Sequence, residues 1–364
     1  MKDRSIHILN FIGLGFFEPA IRLASGEEVK KNVTALFRKV LLPIFSIFFF
    51  LMLWSAGSSY LYNIEKDFRI EKAFKERGEA AAQEEKKCIE SGNVSCQITT
   101  LPSPTQVWLG YKSLLADHYL ISEKKRAFEE RLASKNAELK ENDLPPIEYT
   151  GRPSFVDQIF TSLKTVFAGF LLALFIAVPI GIMLGLSETL RSSVNWLIQI
   201  FKPVSPVVWL LLVSMIVNTL SKNSDSDSAF VISFISVGLC SMWATLVNTS
   251  MGVSSVDKDY INVAKVLQLS VGQKVFKIIL PSSFPLIFTG LRITLSVAWM
   301  VLIAIELLAQ SPGLGLFVWE EFQNGANDSN AKIIVAMFVI GIIGFLLDRM
   351  MLTVQKFVTF TEET

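Results

Sequence analysis

Hydrophobic residues along this chain gather into long uncharged windows separated by charged stretches. A hydrocarbon core about 30 Å thick needs roughly 20 apolar residues in helical form, because each backbone N–H and C=O must be satisfied within the segment. Six windows approach that requirement: Leu41 to Leu61, Thr165 to Ser187, Val204 to Leu220, Ala229 to Met251, Pro285 to Ala309 and Ile333 to Met350. The third and sixth are short and flanked by charge, Lys202 for one, Asp348 and Arg349 for the other. The pattern therefore predicts an all-α membrane protein with about six transmembrane helices.

Lysine and arginine in short flanking loops resist translocation and set orientation. With the N-terminus inside, Arg38, Lys39, Arg191, Lys202, Lys258, Lys265, Lys274, Lys277, Arg349 and Lys356 fall on the cytoplasmic side, against Lys164, Lys222 and Lys332 outside. The acidic outer loops, Ser221 to Ser228 and the region of Glu320, Glu321 and Asp328, agree. The expected organisation is a cytoplasmic segment 1–40, a first span 41–61, an extracytoplasmic insert 62–154, a core 155–355 with five spans, and a cytoplasmic tail 356–364. The stretch 6–40 mixes Phe11, Phe16, Phe17 and Ile21 with Glu27, Glu28, Lys30 and Lys31, which suits an interfacial amphipathic helix or a flexible tail.

The insert is too charged to enter a membrane. Helix-like charged stretches run from Glu65 to Lys87 and from Ser122 to Glu141, and the prolines of Leu101-Pro-Ser-Pro-Thr-Gln-Val-Trp108 force an extended lead into a short amphipathic helix. Cys88 and Cys96 flank a Gly-Asn turn here, compatible with a small disulfide loop or with two free thiols; Cys240 reads as a packing residue.

Composition narrows the function classes. Of 364 residues, 51% are hydrophobic and 18% charged, and the net charge of +1 comes without a basic run interleaved with aromatics, so nucleic acid is not an expected partner. Three cysteines, two histidines and no C-x-x-C pair leave no metal or redox site to expect. The first 40 residues show no apolar core followed by a small-residue cleavage pattern, and no removable signal is expected.

The loop Asp257 to Pro281 is longer than a connection between two spans requires. Ile261, Ala264 and Leu267 recur at helical spacing, Ser270 and Gln273 form a capping-box pattern, and a second helix with Val271, Val275 and Ile278 on one face is expected to end at Pro281. An apolar ridge on a chain without a cytoplasmic domain implies a docking partner.

At this loop the sequence resembles the binding-protein-dependent ABC importer permeases, particularly their nitrate, sulfonate and taurine branch. The family's Glu-Ala-Ala, following glycine and closing Leu-Pro correspond to Asn262-Val263-Ala264, Gln268 and Leu280-Pro281. The likeness continues through Gly290-Leu-Arg-Ile293, Ala298-Trp299, Glu306, Pro312-Gly-Leu-Gly315, Trp319, Ile340-Gly341 and Leu346-Leu-Asp-Arg349. Upstream, Leu101-Pro-Ser-Pro104, Ser162-Leu163, Pro179-Ile-Gly181, Gly185-Leu-Ser187, Lys202-Pro-Val-Ser-Pro206 and Trp209 also match. Two departures stand out: Asn262 replaces a carboxylate, and Gln268 replaces a glycine, so the elbow is expected to take another shape or to meet a dedicated ATPase.

The resemblance implies a type I (MetI-like) permease core with a helical extracytoplasmic insert, in the bacterial inner membrane with both termini cytoplasmic. It implies a translocation path for a small anion, nitrate or an organosulfonate such as taurine. Expected partners are cytoplasmic P-loop ATPase subunits, a second permease copy or a paralogue, an extracytoplasmic solute-binding protein and membrane lipid. The ATPase-docking residues would be Asn262, Val263, Ala264, Lys265, Leu267, Gln268 and Ser270. No G-x-x-x-x-G-K-[ST] occurs, so no catalytic site or bound cofactor is expected in this chain, and ATP and Mg belong to the partner ATPase.

Arg292 and Glu306 lie 14 positions apart in one span, about 21 Å of rise and nearly four turns, so they share a helical face. With Trp299 and Trp209 they are the candidate path lining; the alternative is that each charge reaches to its nearer interface and each tryptophan packs. Pro179, Pro203 and Pro206 read as kinks or cavity-lining breaks, and Gly181 with Gly185 as a close-approach pair within or between subunits. Secondary transporters show internal repeats or intramembrane proton relays, and neither is found here; a membrane scaffold working through the insert is the remaining alternative.

Overall fold

The computed structural model describes residues 18–24, 29–91, 96, 98, 100–142, 144–147, 149–220, 228–326 and 328–358. The predicted acidic loop at 221–227, residues 6–17 and 25–28 of the N-terminal amphipathic stretch and the end of the C-terminal tail lie outside them. All regular structure among the described residues is helical. The helices are α1 (Glu18–Ala24), α2 (Val29–Leu36), α3 (Leu42–Arg77), α4 (Glu79–Glu90), α5 (Pro104–Glu141), α6 (Phe155–Leu186), α7 (Glu188–Phe201), α8 (Pro206–Leu220), α9 (Ser228–Ser254), α10 (Lys258–Val266), α11 (Val271–Lys274), α12 (Leu280–Ala309), α13 (Leu314–Asn324) and α14 (Ser329–Val358). Five helical stretches are long and apolar enough to cross a membrane, or six if α7 and α8, bent by 100°, form one span.

Contacts divide the chain into two units, one of residues 1–114 with 321–337 and one of 115–320 with 338–364. In the first unit, the first span is longer than its apolar window. Helix runs without interruption over Val29–Arg77, 49 residues or about 73 Å, more than twice a hydrocarbon core. It ends where Gly78 takes φ 85°, a left-handed conformation open to glycine. The expected charged helix over Glu65 to Lys87 is thus divided between α3 and α4. The chain returns alongside α3, whose Trp54 indole N–H and Ser58 hydroxyl donate to the carbonyls of Pro102 (3.0 Å) and Leu101 (2.8 Å). The helix after Leu101-Pro-Ser-Pro104 is not short: Pro104 opens a helix of 38 residues, started by a capping box in which Ser103 and Gln106 bond each other's backbone N–H.

Cys88 and Cys96 are joined as a disulfide with their Cα atoms 5.8 Å apart. Closing a loop of this length restricts the unfolded chain by about 2–3 kcal/mol. Cys88→Ser is expected to lower the protease resistance of the 62–100 segment while leaving the membrane core intact; unchanged proteolysis would show the crosslink idle.

In the second unit, α9 packs between α6 and α12 and also meets α8. Glycines set the α6–α9 distance. A Cβ at Gly181 would stand 2.6 Å from Thr249 Cβ, and one at Gly169 would stand 2.9 Å from the Phe234 carbonyl. The pair Gly181 and Gly185 therefore serves packing within the subunit, against Thr249 and Val253. Between α9 and α12 the contact is polar: Thr245 and Thr294 hydroxyls lie 2.7 Å apart, and Thr294 donates to the Ser241 carbonyl. Pro203 and Pro206 sit at the sharp bend between α7 and α8. Alone, α8 has 15 residues, too few for a full crossing.

Candidate functional site

The loop expected to dock a partner is well built. Asp257 caps α10 by accepting from the Asp259 N–H (3.0 Å), and α10 closes with the Gln268 N–H on the Lys265 carbonyl (3.0 Å) and the Leu269 N–H on that of Ala264 (3.1 Å). This paired closure needs a left-handed residue, and Gln268 supplies it at φ 50°. The expectation of a different elbow is thus corrected: glutamine adopts the conformation a glycine would, at about 1 kcal/mol or more. Gln268→Gly should leave the loop's hydrogen–deuterium exchange unchanged or slower, whereas a β-branched Gln268→Val should loosen it; equal exchange in both would remove the strain argument.

The next helix starts with the capping box Ser270 and Gln273, as the sequence indicates. It does not stop at Pro281. A π-helical turn over Val275–Ile279, closed by the Leu280 N–H on the Val275 carbonyl, carries the helix on into α12. Proline lacks an N–H and crowds the carbonyl four residues back, and a wider turn just before it relieves both problems. The same device, Phe37–Leu41, precedes Pro43.

The ridge divides by face. Ala264 is 2% exposed, and Ile261 and Val275 pack with Val253, Val256 and Ile279. Ala264 is therefore a hinge-packing residue and not part of an outward docking face. Asn262, Val263, Lys265, Leu267, Gln268 and Ser270 are exposed, as is Val271 of the expected second helix, joined by Tyr260, Val266 and Phe276, which the sequence pattern did not single out. Val266 and Val271 are 82% and 77% exposed.

The four candidate path residues part company. Glu306 is 0% exposed. The Ser162 hydroxyl reaches both its carboxylate oxygens (2.7 and 2.9 Å), the Gly315 N–H donates to one (2.9 Å), and the Leu314 N–H donates to the Ser162 hydroxyl (2.9 Å). The positive end of α13 thus lands on Glu306. A Cβ on Gly315 would strike the backbone of Ile303, and one on Gly313 would strike the Glu306 carboxylate, which accounts for Pro312-Gly-Leu-Gly315. Glu306 is a structural post and lines no path in this conformation. Trp299 is likewise a packing residue, 5% exposed, with its indole N–H on the Ile340 carbonyl (3.0 Å). Trp209 joins an aromatic cluster with Phe201 and Trp243, at centroid distances of 5.9 and 6.4 Å.

Arg292 faces open space. Its guanidinium makes a two-pronged contact with Asp348 of α14, Nε to Oδ1 and Nη2 to Oδ2 (2.9 Å). Both charges border a groove of about 790 Å³ along α12 and α14, with Thr289, Ser296 and Met300 on the Arg292 side and Gln355 and Lys356 on the other. Arg292 and Glu306 keep the same side of α12, but Ser162 of α6 and Gly315 of α13 close over Glu306. Asp348 was visible in the sequence as a charge ending an apolar window; the signal for pairing was that it and Arg292 lie at similar distances from the same ends of antiparallel spans. Ser162 gave no such signal, being 144 positions from Glu306.

Residues 177–359 match the family described as binding-protein-dependent transport system inner membrane component. The chain is 34% identical over 202 residues to the nitrate import permease protein NrtB of Synechococcus elongatus, covering 56% of this chain and 69% of that protein. It is 37% identical over 202 residues to the bicarbonate transport system permease protein CmpB of Synechocystis sp., covering 55% and 68%. Among solved structures, the MetNI methionine ABC transporter in inward-facing conformation superposes with a TM-score of 0.50 at 16% identity, over 56% of this chain and 95% of that one, a likeness of fold. The apolar helices, the capped loop and these likenesses converge: the chain belongs to the binding-protein-dependent transport system inner membrane components and is a multi-pass membrane permease subunit of an ABC importer.

Proposed function

We propose that this permease moves a small planar oxyanion, of the nitrate or bicarbonate kind, into the cell when a separate ATPase seated on the loop 257–281 hydrolyses ATP. The observation that carries the reading is the loop itself: a rigidly capped pair of helices keeps Tyr260, Val263, Val266, Leu267, Val271 and Phe276 exposed beside the polar Asn262, Gln268 and Ser270. Apolar side chains held out by so much local hydrogen bonding gain their stability when a partner covers them. ATP and Mg stay with that partner. The loop faces the cytoplasm by the lysine and arginine distribution, which puts the 62–154 insert outside, where a solute-binding protein delivers the substrate. Two permease copies, or this chain and a paralogue, enclose the path, and Arg292 contributes its positive charge to it.

The substrate class is supported by the names of two relatives and by Arg292, whose planar fork suits two-oxygen acceptors. The test is reconstitution in proteoliposomes with the cognate ATPase and binding protein. Saturable uptake of nitrate or bicarbonate that requires ATP is the expected result. Uptake of taurine alone would overturn the substrate class, and uptake without ATP would favour a secondary transporter.

A further inference from the structure

Of the charged groups within the spans, Glu306 is sealed by neighbouring helices, while Arg292 and Asp348 are left beside open space, their side chains 38% and 25% exposed. The pair borders a groove with hydroxyl, amide and ammonium groups on its walls. Thr289, Arg292, Ser296 and Met300 follow one another on α12 at spacings of three and four, a single stripe along the groove. With Lys356 and Arg292 against Asp348, the lining carries a net positive charge of one.

The geometry of the pair is informative. A carboxylate presents two oxygens in a plane to a guanidinium fork, and nitrate and bicarbonate present the same two oxygens at nearly the same spacing. We infer that Arg292 is the oxyanion-holding residue of this groove and that the Asp348 carboxylate is its internal stand-in, held by the guanidinium until a substrate anion displaces it. The inference rests on the oxyanion reading above and deepens it by naming the site and its competitor. A stand-in keeps Arg292 from standing as a bare charge in an apolar span when the groove is empty, and it weakens retention of the passing anion. Both properties suit a path that must release what it carries.

The full complex in proteoliposomes, with labelled nitrate and bicarbonate as probes, tests this. Asp348→Asn removes the competitor, and labelled anion bound directly to the purified permease–ATPase complex without the binding protein should half-saturate at about tenfold lower concentration, the scale of one charge-assisted hydrogen bond. Arg292→Gln should abolish saturable uptake. Because that variant leaves Asp348 unpaired and can fail to insert, Arg292→Gln with Asp348→Asn is the companion: it keeps shape without charge and should still co-purify with the ATPase but import no oxyanion. Uptake by the double variant within about twofold of the parent would overturn the proposal and leave a structural pair. Unchanged half-saturation in an assembled Asp348→Asn complex would overturn the stand-in role. If the parent complex imports neither anion, the substrate reading falls and this inference with it, an outcome distinct from parental uptake that is insensitive to these residues.

Discussion

Glu306→Ala is expected to destabilise the permease by about 3–5 kcal/mol, since it empties a buried site and strands the Gly315 N–H and the Ser162 hydroxyl. The apparent melting temperature in detergent should fall by about 10 °C, with loss of membrane-inserted protein. Glu306→Gln preserves the volume but turns one acceptor into a donor facing other donors, and should cost less, about 1–3 kcal/mol. Gly315→Ala should resemble Glu306→Ala, because its Cβ would enter the backbone of Ile303 and the side chain of Glu306. If Glu306→Ala melts with the parent protein and loses only uptake, the carboxylate belongs to the path after all and the structural reading fails.

Leu267→Asp should release the ATPase while leaving the permease folded. Leu267 is 63% exposed on the elbow beside Val263 and Val266, so a carboxylate there is harmless in the isolated subunit. In the complex it would be buried without a counter-charge, weakening association about 100-fold, the size of a central interface residue. Ala264→Asp separates two mechanisms: with Ala264 2% exposed, a carboxylate there should loosen the loop's own packing and lower the melting temperature before any question of docking arises. Pull-down of the partner with each variant, read beside thermal stability, distinguishes them. A Leu267→Asp permease that retains its ATPase would remove the docking surface from this loop.

The capped loop was nearly complete in its sequence because caps are local. Ser270 and Gln273 are three residues apart, and a side chain bonding its own helix start needs no distant partner. The elbow was less legible. A glutamine in the left-handed region looks unlikely from propensity alone, yet two backbone hydrogen bonds and the burial of Ala264 beneath it hold the turn. Pro281 misled for a related reason: a proline signals a helix end through the bond it cannot make, but a wider turn before it lets the helix continue.

The sequence by itself determined the all-helical membrane class and the approximate number of spans, because both follow from the length of apolar runs and the solvation cost of charge in lipid. It also carried the family likeness, through motifs whose order persists along the chain. Only the tertiary structure decided which charge borders open space. Arg292 and Glu306 occupy the same side of one helix, and nothing in helical periodicity says that one faces a groove while the other is closed in by Ser162 and the first turn of α13. Periodicity fixes angles around a single axis; burial depends on which distant segment covers that axis at each height, and that is a property of the packed bundle.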